Sequence, residues 1–159
     1  MNSADQHNAL GKWFLGEFMN TIDRQRRVAI PSQWRSSNAS ENHFFLLPGR
    51  ENSLQLIPAE LFQELLQQLR KVSFADGQAA VALGTVGSMA QECLCDKQGR
   101  ITIPPKLMAH AGLTNRALML GAVTTVQIWS EERWEERRMD SEKGLDVLQN
   151  IQQKPDGLQ

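Results

Sequence analysis

The sequence has few residues that could form disulfides or bind metals. Its two cysteines, Cys93 and Cys95, are separated by one residue, so on a strand they would share a face, which is poor geometry for a disulfide with each other. The histidines are scattered at His7, His43 and His110, and a zinc site needs more ligands at workable spacing. We therefore expect no metal and no other cofactor, and this cysteine usage favours a cytoplasmic protein.

An excess of positive charge and long apolar runs are also lacking. The 159 residues carry a formal net charge of −1, which excludes a strongly basic DNA-coating protein but leaves room for a local basic patch. No apolar run is long enough to span a membrane, so we expect no membrane partner. Hydrophobic residues make up 41% of the chain, which is enough for a packed core in one domain or in two small halves.

The motifs of common enzyme classes are missing as well. The sequence contains no nucleophile–base constellation and no phosphate-binding loop of the G-x-x-x-x-G-K type. An enzyme that uses Asp23 and Asp96 as a carboxylate pair is one alternative, but no other residue supports it. We therefore predict a protein without enzymatic activity and without a small-molecule substrate.

The most informative feature that is present is a short element that occurs twice. It runs Asp-Arg-Gln-Arg-Arg-Val-Ala-Ile-Pro over residues 23–31 and Asp-Lys-Gln-Gly-Arg-Ile-Thr-Ile-Pro over residues 96–104, at a constant offset of 73 residues. Both copies predict a charged turn, a strand, and a helix opened by proline, whose missing N–H would be unpaired there anyway. A chain that repeats one basic turn is expected to present it twice to a partner.

A second pair of segments extends this repeat. Residues 54–62 parallel residues 126–134 at an offset of 72, and each predicts the second strand of a hairpin followed by a helix. We therefore predict an α+β, β-rich fold with pseudo-equivalent halves at 13–83 and 84–138. Because neither half can bury its strands alone at this length, we expect them to pair around a pseudo-twofold axis into a small barrel with short helices.

Further expectations concern the chain ends and the apolar side chains. Residues 1–12 are predicted to be a flexible leader, and residues 139–159 the end of a helix and a tail that frays beyond Gly144. Apolar residues at helical spacing between 61 and 69 predict a leucine face in the core. Trp34, Trp129 and Trp134 are expected in the core or at a subunit interface.

Motifs along most of the chain, from about Phe14 to Trp134, match the pattern of one family. They are the two Asp-x-x-x-Arg copies, each followed by apolar-x-Ile-Pro, together with flanking segments: Phe14-Leu-Gly-Glu17, Thr21-Ile-Asp23, Ile30-Pro31, Ile103-Pro104, Ala111-Gly-Leu-Thr114 and Ile128-Trp129. With these residues the sequence resembles the MraZ family of bacterial transcriptional regulators, whose fold is shared with the swapped-hairpin DNA binders AbrB and MazE.

The resemblance implies both a fold and a function. The implied fold is the AbrB/MraZ-like double-split β-barrel, and the implied function is a sequence-specific DNA-binding transcriptional regulator. MraZ-like proteins regulate genes for cell division and cell-wall synthesis, bind short direct repeats at the promoter of that cluster, and assemble into rings. The expected partners are therefore double-stranded DNA and further copies of the chain in a ring-shaped homo-oligomer, in the cytoplasm and associated with the nucleoid.

The family's Asp-x-x-x-Arg elements are its DNA-contacting parts, and the resemblance therefore assigns DNA contact to both turns. The predicted DNA-binding residues are five basic side chains: Arg24, Arg26, Arg27, Lys97 and Arg100. Such cations bind phosphates, and arginine also pairs with guanine N7 and O6 in the major groove. We predict that Asp23, Asp96 and Gly99 hold the turns in shape, because a carboxylate repels phosphate but accepts backbone N–H bonds.

Three positions depart from the family pattern. Arg26 stands where the family's first turn has glycine, and a positive φ there would cost about 1 kcal/mol. Met108 stands where the family has a basic residue, and residues 78–80 are uncharged where relatives carry arginines. These departures motivate an alternative function, a ring-forming assembly protein of the same fold that has lost or altered DNA binding. If the two halves divide the work of DNA binding, the more basic first turn, from Arg24 to Arg27, is expected to supply more of the affinity.

Overall fold

The computed structural model describes residues 13–73 and 75–153, so the predicted leader at 1–12 and the chain end at 154–159 lie outside the described residues. The strands are β1 (Glu17–Thr21), β2 (Arg27–Ala29), β3 (His43–Pro48), β4 (Leu54–Pro58), β5 (Gln91–Leu94), β6 (Arg100–Thr102), β7 (Arg116–Gly121) and β8 (Val126–Trp129). The helices are α1 (Ala59–Leu69), α2 (Gly77–Gly87), α3 (Pro105–Ala111), α4 (Glu131–Arg137) and α5 (Ser141–Gln153).

The first and second parts of the chain exchange strands. β1 pairs with β7, β5 pairs with β3, and all pairings are antiparallel. The hairpins β3–β4 and β7–β8 join at their second strands, where Gln55 lies opposite Gln127. The result is a six-stranded sheet with the order β1-β7-β8-β4-β3-β5, accompanied by a two-stranded ribbon of β2 and β6.

These pairings follow a pseudo-twofold axis. The axis relates the β1–β7 pair to the β5–β3 pair, and it passes between Gln55 and Gln127 in the sheet and between Val28 and Ile101 in the ribbon. The exchange gives β1 and β5 partner strands from distant parts of the chain. The predicted α+β, strand-rich class is confirmed, and the boundaries predicted for the two halves stay a prediction.

One core lies between the six-stranded sheet and the ribbon. Val28 and Ile101 of the ribbon are buried in the same cluster as Phe44, Leu56 and Ile128 of the sheet. Removing each of these side chains from water contributes roughly 1.5–3 kcal/mol. Because side chains alternate across a strand, the neighbours of the buried ribbon residues point outward. The ribbon therefore has one face in the core and one face outside.

Of the three tryptophans, Trp34 joins the core cluster as predicted, and Trp129 and Trp134 pack against each other. Trp34 is buried and meets Phe14 and Phe18 edge-to-face at ring-centroid distances of 5.9 and 5.0 Å. Trp129 is buried, and its ring lies 5.3 Å from that of Trp134. These contacts hold the segment after β2 against Phe14 and β1, and they hold α4 against β8.

Two predictions about helices are wrong. The leucine face of α1 does not join the core, because Leu65, Leu66 and Leu69 keep 37, 37 and 42% of their surface exposed. Residues 145–153 do not fray, because they belong to α5, which continues to Gln153. Helical spacing identifies the apolar face of a helix but does not say whether the same chain covers that face. Across residues 13–73 and 75–153, no helix combines the length and apolar character that crossing a membrane requires.

Candidate nucleic-acid interface

The first turn is organised around the carboxylate of Asp23. Its Oδ1 accepts the backbone N–H bonds of Gln25 at 2.9 Å and Arg27 at 2.8 Å, while its Oδ2 accepts the Nε–H of Arg27 at 2.8 Å. The N–H of Arg26 donates to the Asp23 carbonyl at 3.0 Å, which closes the turn. One carboxylate thus sets both the path of the turn and the direction of the Arg27 guanidinium.

The second turn repeats this set of bonds. Oδ1 of Asp96 accepts the backbone N–H bonds of Gln98 and Arg100, both at 2.9 Å, and Oδ2 accepts the Nε–H of Arg100 at 2.9 Å. The N–H of Gly99 donates to the Asp96 carbonyl at 2.9 Å. Gly99 has a φ of +75°, as expected for a glycine that ends a type I turn just before the next strand.

Both turn carboxyl groups have a lowered pKa. For Asp23 the largest cause is the backbone N–H of Arg27, which outweighs an opposing effect of desolvation and is reinforced by the Arg27 side chain and the N–H of Gln25. The pKa of Asp96 is lowered by the same interactions with Arg100 and the N–H of Gln98, against the same opposing effect. Both aspartates are therefore ionised at neutral pH and hold their arginines by charge as well as by geometry.

Arg27 and Arg100 lie on the same outward face of the ribbon. In the register of β2 and β6, Arg27 is opposite Thr102 and Ala29 is opposite Arg100, while the residues between them face the core. The two arginines therefore stand diagonally on one face. Nη1 of Arg100 also lies 3.9 Å from Oδ2 of Asp23, which joins the charges of the two turns into one cluster.

Arg35 belongs to this cluster, although the sequence pattern did not place it there. Its Nε–H donates to the Ile30 carbonyl at 2.9 Å, and its guanidinium covers Gly99, where any Cβ would collide with it. The signal in the sequence was the basic residue at position 35 and its counterpart Met108, which share the repeat offset. That signal did not show that the side chain reaches across to the second turn.

Arg26 also reaches across the ribbon. Its Nε–H donates to the Ile103 carbonyl at 3.0 Å, and the Arg26 carbonyl accepts the N–H of Ile103 at 2.8 Å. The φ of Arg26 is +62°, so the position does adopt the left-handed conformation that glycine has in the second turn. The first turn therefore has a non-glycine residue in a conformation that costs about 1–2 kcal/mol.

Positive charge is concentrated on this surface, which we call the ribbon site. It has six basic side chains against the two aspartates, a net of four positive charges on a chain of net charge −1: Arg24, Arg26, Arg27, Arg35, Lys97 and Arg100. Arg24 and Lys97 are exposed at the tips of the two turns. The structure thus brings all five predicted DNA-binding residues and the three predicted turn-orienting residues into one site.

Cysteine and the other metal-ligating side chains form no comparable cluster. Within residues 13–73 and 75–153, no group of three or more His, Cys, Asp and Glu side chains is arranged to hold a metal ion. Cys93 is buried, and burial raises the pKa of its thiol to about 12, with smaller contributions from Cys95 and Glu92. The Cys93 thiol therefore stays protonated at neutral pH and packs in the core as an apolar group.

Comparison with known proteins establishes the family. The sequence matches the family profile described as "MraZ protein, putative antitoxin-like" over residues 13–83 and 88–145. The chain belongs to the MraZ family. The "Transcriptional regulator MraZ" of Lachnoclostridium phytofermentans is 34% identical over 128 residues, which cover 80% of this chain and 89% of that protein. The proteins of the same name from Moorella thermoacetica and Thermomicrobium roseum are each 36% identical, over 77 and 76% of this chain and 85 and 84% of their own lengths.

Membership of the MraZ family supports a transcriptional regulator. The MraZ relatives carry that name, and the family is not one of enzymes, so the prediction of a non-enzymatic protein is confirmed. The resemblance drawn from the two Asp-x-x-x-Arg copies is confirmed as well. Contact between the five basic residues and DNA stays a prediction.

Proposed function

We propose that the chain is a sequence-specific transcriptional regulator that binds double-stranded DNA through the ribbon site. The observation that carries the proposal is the pair Arg27 and Arg100 on one outward face, each held in direction by an aspartate. Segregation of four net positive charges to this face attracts the phosphate backbone although the whole chain is slightly acidic. The partner is chromosomal DNA, so the protein acts in the cytoplasm in association with the nucleoid.

The dimensions of the ribbon support binding in the major groove. Antiparallel strands lie about 4.8 Å apart, and a two-stranded ribbon fits a groove about 12 Å wide. Arg27 and Arg100 bind their aspartates through Nε, so their Nη groups are the atoms that face a base edge or a phosphate. Arg24 and Lys97 at the turn tips are placed to contact the backbone on either side.

Self-assembly completes the proposed function. We place copies of the chain in a ring that binds short direct repeats in the promoter of a cell-division and cell-wall gene cluster. α2 has no charged residue and Val81 on it is 69% exposed, while Leu145 and Leu148 on α5 are 65 and 60% exposed. Apolar helix faces of this kind are normally covered, and a second copy would cover them. Several subunits on successive repeats raise the effective concentration without new contacts.

Binding of a labelled duplex from the chain's own upstream region tests the proposal. Fluorescence anisotropy at several salt concentrations should show binding that weakens steeply between about 50 and 200 mM salt. Arg27→Ala and Arg100→Ala should each weaken binding, by roughly fivefold or more if the arginine contacts a base. Arg137→Ala is the matched control, because that exposed arginine pairs with Glu51 in the loop between β3 and β4, outside the ribbon site. Parental affinity in both ribbon variants would contradict the proposal.

The alternative, a ring-forming assembly protein without DNA binding, gives a different result in the same samples. The bonds that the ribbon arginines make inside the protein favour it, since Arg26, Arg27 and Arg100 all have Nε engaged. It predicts a ring in sedimentation with no salt-dependent affinity for any duplex. Salt-dependent binding that is lost in the ribbon variants would exclude it.

A further inference from the structure

Two equivalent backbone carbonyls are capped by arginines that come from different places. Ile30 and Ile103 stand 73 residues apart, and each precedes a proline after a ribbon strand. The Ile30 carbonyl accepts the Nε–H of Arg35 at 2.9 Å, and the Ile103 carbonyl accepts the Nε–H of Arg26 at 3.0 Å. Arg35 lies after the proline that follows its ribbon strand, whereas Arg26 lies in the turn before a ribbon strand.

Arg35 and any side chain at position 99 exclude each other. The Arg35 guanidinium lies over Gly99 so closely that Nη1, Cζ and Nε would all collide with a Cβ at that position. Gly99 is itself buried although it lies in a turn. The second turn can therefore keep Arg35 above it only while position 99 is glycine.

The equivalent positions elsewhere in the site hold the opposite combination. Position 108 is equivalent to Arg35 but is Met108, whose side chain packs against the core. Position 26 is equivalent to Gly99 but is Arg26, in the same left-handed conformation. The first pair thus consists of Arg35 after one ribbon strand and Gly99 in the opposite turn. The second pair consists of the apolar Met108 after the other strand and Arg26 in its opposite turn.

We propose that positions 26 and 108 are a coupled pair, in which Arg26 supplies the guanidinium that position 108 lacks and acts as a positioning residue. The Ile103 carbonyl accepts a bond from one guanidinium only, which comes either from position 26 or from position 108. The residue at the other position must then be one that does not occupy the same space. The bond from Arg26 to Ile103 fastens the first turn to the opposite ribbon strand and so sets Arg27 relative to Arg100. The effect of Arg26 on DNA affinity rests on the function proposed above. The effect of positions 26 and 108 on each other's contribution to Tm does not depend on that function.

Four proteins test this coupling: the parent, Arg26→Gly, Met108→Arg and the double variant. Thermal unfolding is compared at one protein concentration, because the Tm of an assembly depends on concentration. Arg26→Gly removes the cap but also relieves the left-handed strain at position 26, and the net result should be a Tm lower by about 3 °C. Met108→Arg should lower Tm in the parent, where two guanidinium groups compete for one carbonyl, but raise it by about 3 °C in the Arg26→Gly background. An effect of Met108→Arg with the same sign in both backgrounds would overturn the proposal.

A reciprocal graft decides the question if the Met108→Arg proteins do not fold. Gly99→Arg alone places a side chain on the Arg35 guanidinium and should lower Tm by about 6 °C or more. Gly99→Arg combined with Arg35→Met gives the second turn an arginine and the equivalent outer position a methionine, as at positions 26 and 108. This combined variant should recover at least half of the Tm lost in Gly99→Arg. No recovery in the combined variant would overturn the proposal.

Duplex binding separates positioning from simple loss of charge. The double variant at positions 26 and 108 has the same net charge as the parent and should bind the upstream duplex within about twofold of it, whereas Arg26→Gly should bind about fivefold more weakly. A double variant that regains Tm without regaining affinity would overturn the positioning role of Arg26. A parent that does not bind the duplex would overturn the proposed function, and the Tm comparison would still decide the coupling.

Discussion

The two turns of the ribbon share their hydrogen bonds and differ at their fourth residue. The corresponding distances around Asp23 and Asp96 agree within 0.1 Å, yet the fourth residue is Arg26 in one turn and Gly99 in the other. The left-handed conformation costs a non-glycine residue about 1–2 kcal/mol, while a hydrogen bond from a charged group contributes about 1.5–3 kcal/mol. The aspartate therefore sets the backbone of the turn, and glycine is only one of two workable fourth residues.

The turns differ also in how strongly their arginines are engaged. Arg27 pairs with one carboxylate and is 35% exposed. Arg100 lies 2.9 Å from Asp96 and 3.9 Å from Asp23 and is 27% exposed. A guanidinium beside two carboxylates attracts phosphate less than one beside a single carboxylate. The first turn thus has the more available arginine, and its own residues supply three cations against two in the second turn.

Replacing both fourth residues with alanine should give the largest difference between the turns. Gly99→Ala adds left-handed strain and displaces the Arg35 guanidinium, which then loses its bond to the Ile30 carbonyl, so we expect a loss of about 3 kcal/mol in the free energy of unfolding. Arg26→Ala displaces no neighbour and loses the bond to Ile103, so we expect about 1.5 kcal/mol. Urea denaturation measures both, and equal losses would mean that Arg35 moves aside without cost.

Removing Arg35 should bring the two turns closer together. Arg35→Ala loses the bond to the Ile30 carbonyl and should cost about 1–2 kcal/mol by itself. In that background Gly99→Ala keeps only the conformational strain and should cost about 1–2 kcal/mol instead of about 3. A double-mutant cycle by urea denaturation gives the coupling, and strictly additive losses would show that Arg35 does not hold position 99 to glycine.

Acid should affect the two turns alike. The pKa of Asp23 and of Asp96 is lowered in the folded chain, so their stabilisation is complete above the usual pKa of 3.8 and is lost as pH falls through the folded-state value. Asp23→Asn and Asp96→Asn should each be less stable than the parent at neutral pH and should converge with it once pH falls below the lowered folded-state pKa. The measurement is Tm against pH, and convergence in only one variant would show that the turns are not electrostatically equivalent.

Local sequence signals account for most of the predicted elements. Turn residues, prolines and alternating apolar residues predicted both turns and both hairpins. The exchange of β1 and β5 was not predictable from such signals, because it depends on which distant strand edge each one meets. The exposure of the α1 leucines was missed for a similar reason, since periodicity does not reveal what covers an apolar face.

The same limit applies to the ribbon site. The bonds from Arg27 to Asp23 and from Arg100 to Asp96 join residues that are four apart in the sequence. The known role of aspartate at the first position of a turn therefore predicted that Asp23 and Asp96 hold the turns in shape. The contact of Arg35 with Gly99 joins residues that only the folded chain brings together. The sequence showed Arg26 and Met108 as two separate departures from the family pattern, and the folded geometry relates them to one pair of equivalent positions.

The smallest expected effect tests the central claim, which is that the first turn supplies more of the DNA affinity than the second. The measurement is the slope of log K against log salt concentration for the parent, Arg27→Ala and Arg100→Ala on one upstream duplex. We expect Arg27→Ala to lose more affinity and to flatten the slope by about 0.9, the value of one phosphate contact, and Arg100→Ala to change both by less. A larger loss of affinity and of slope in Arg100→Ala than in Arg27→Ala would contradict the claim.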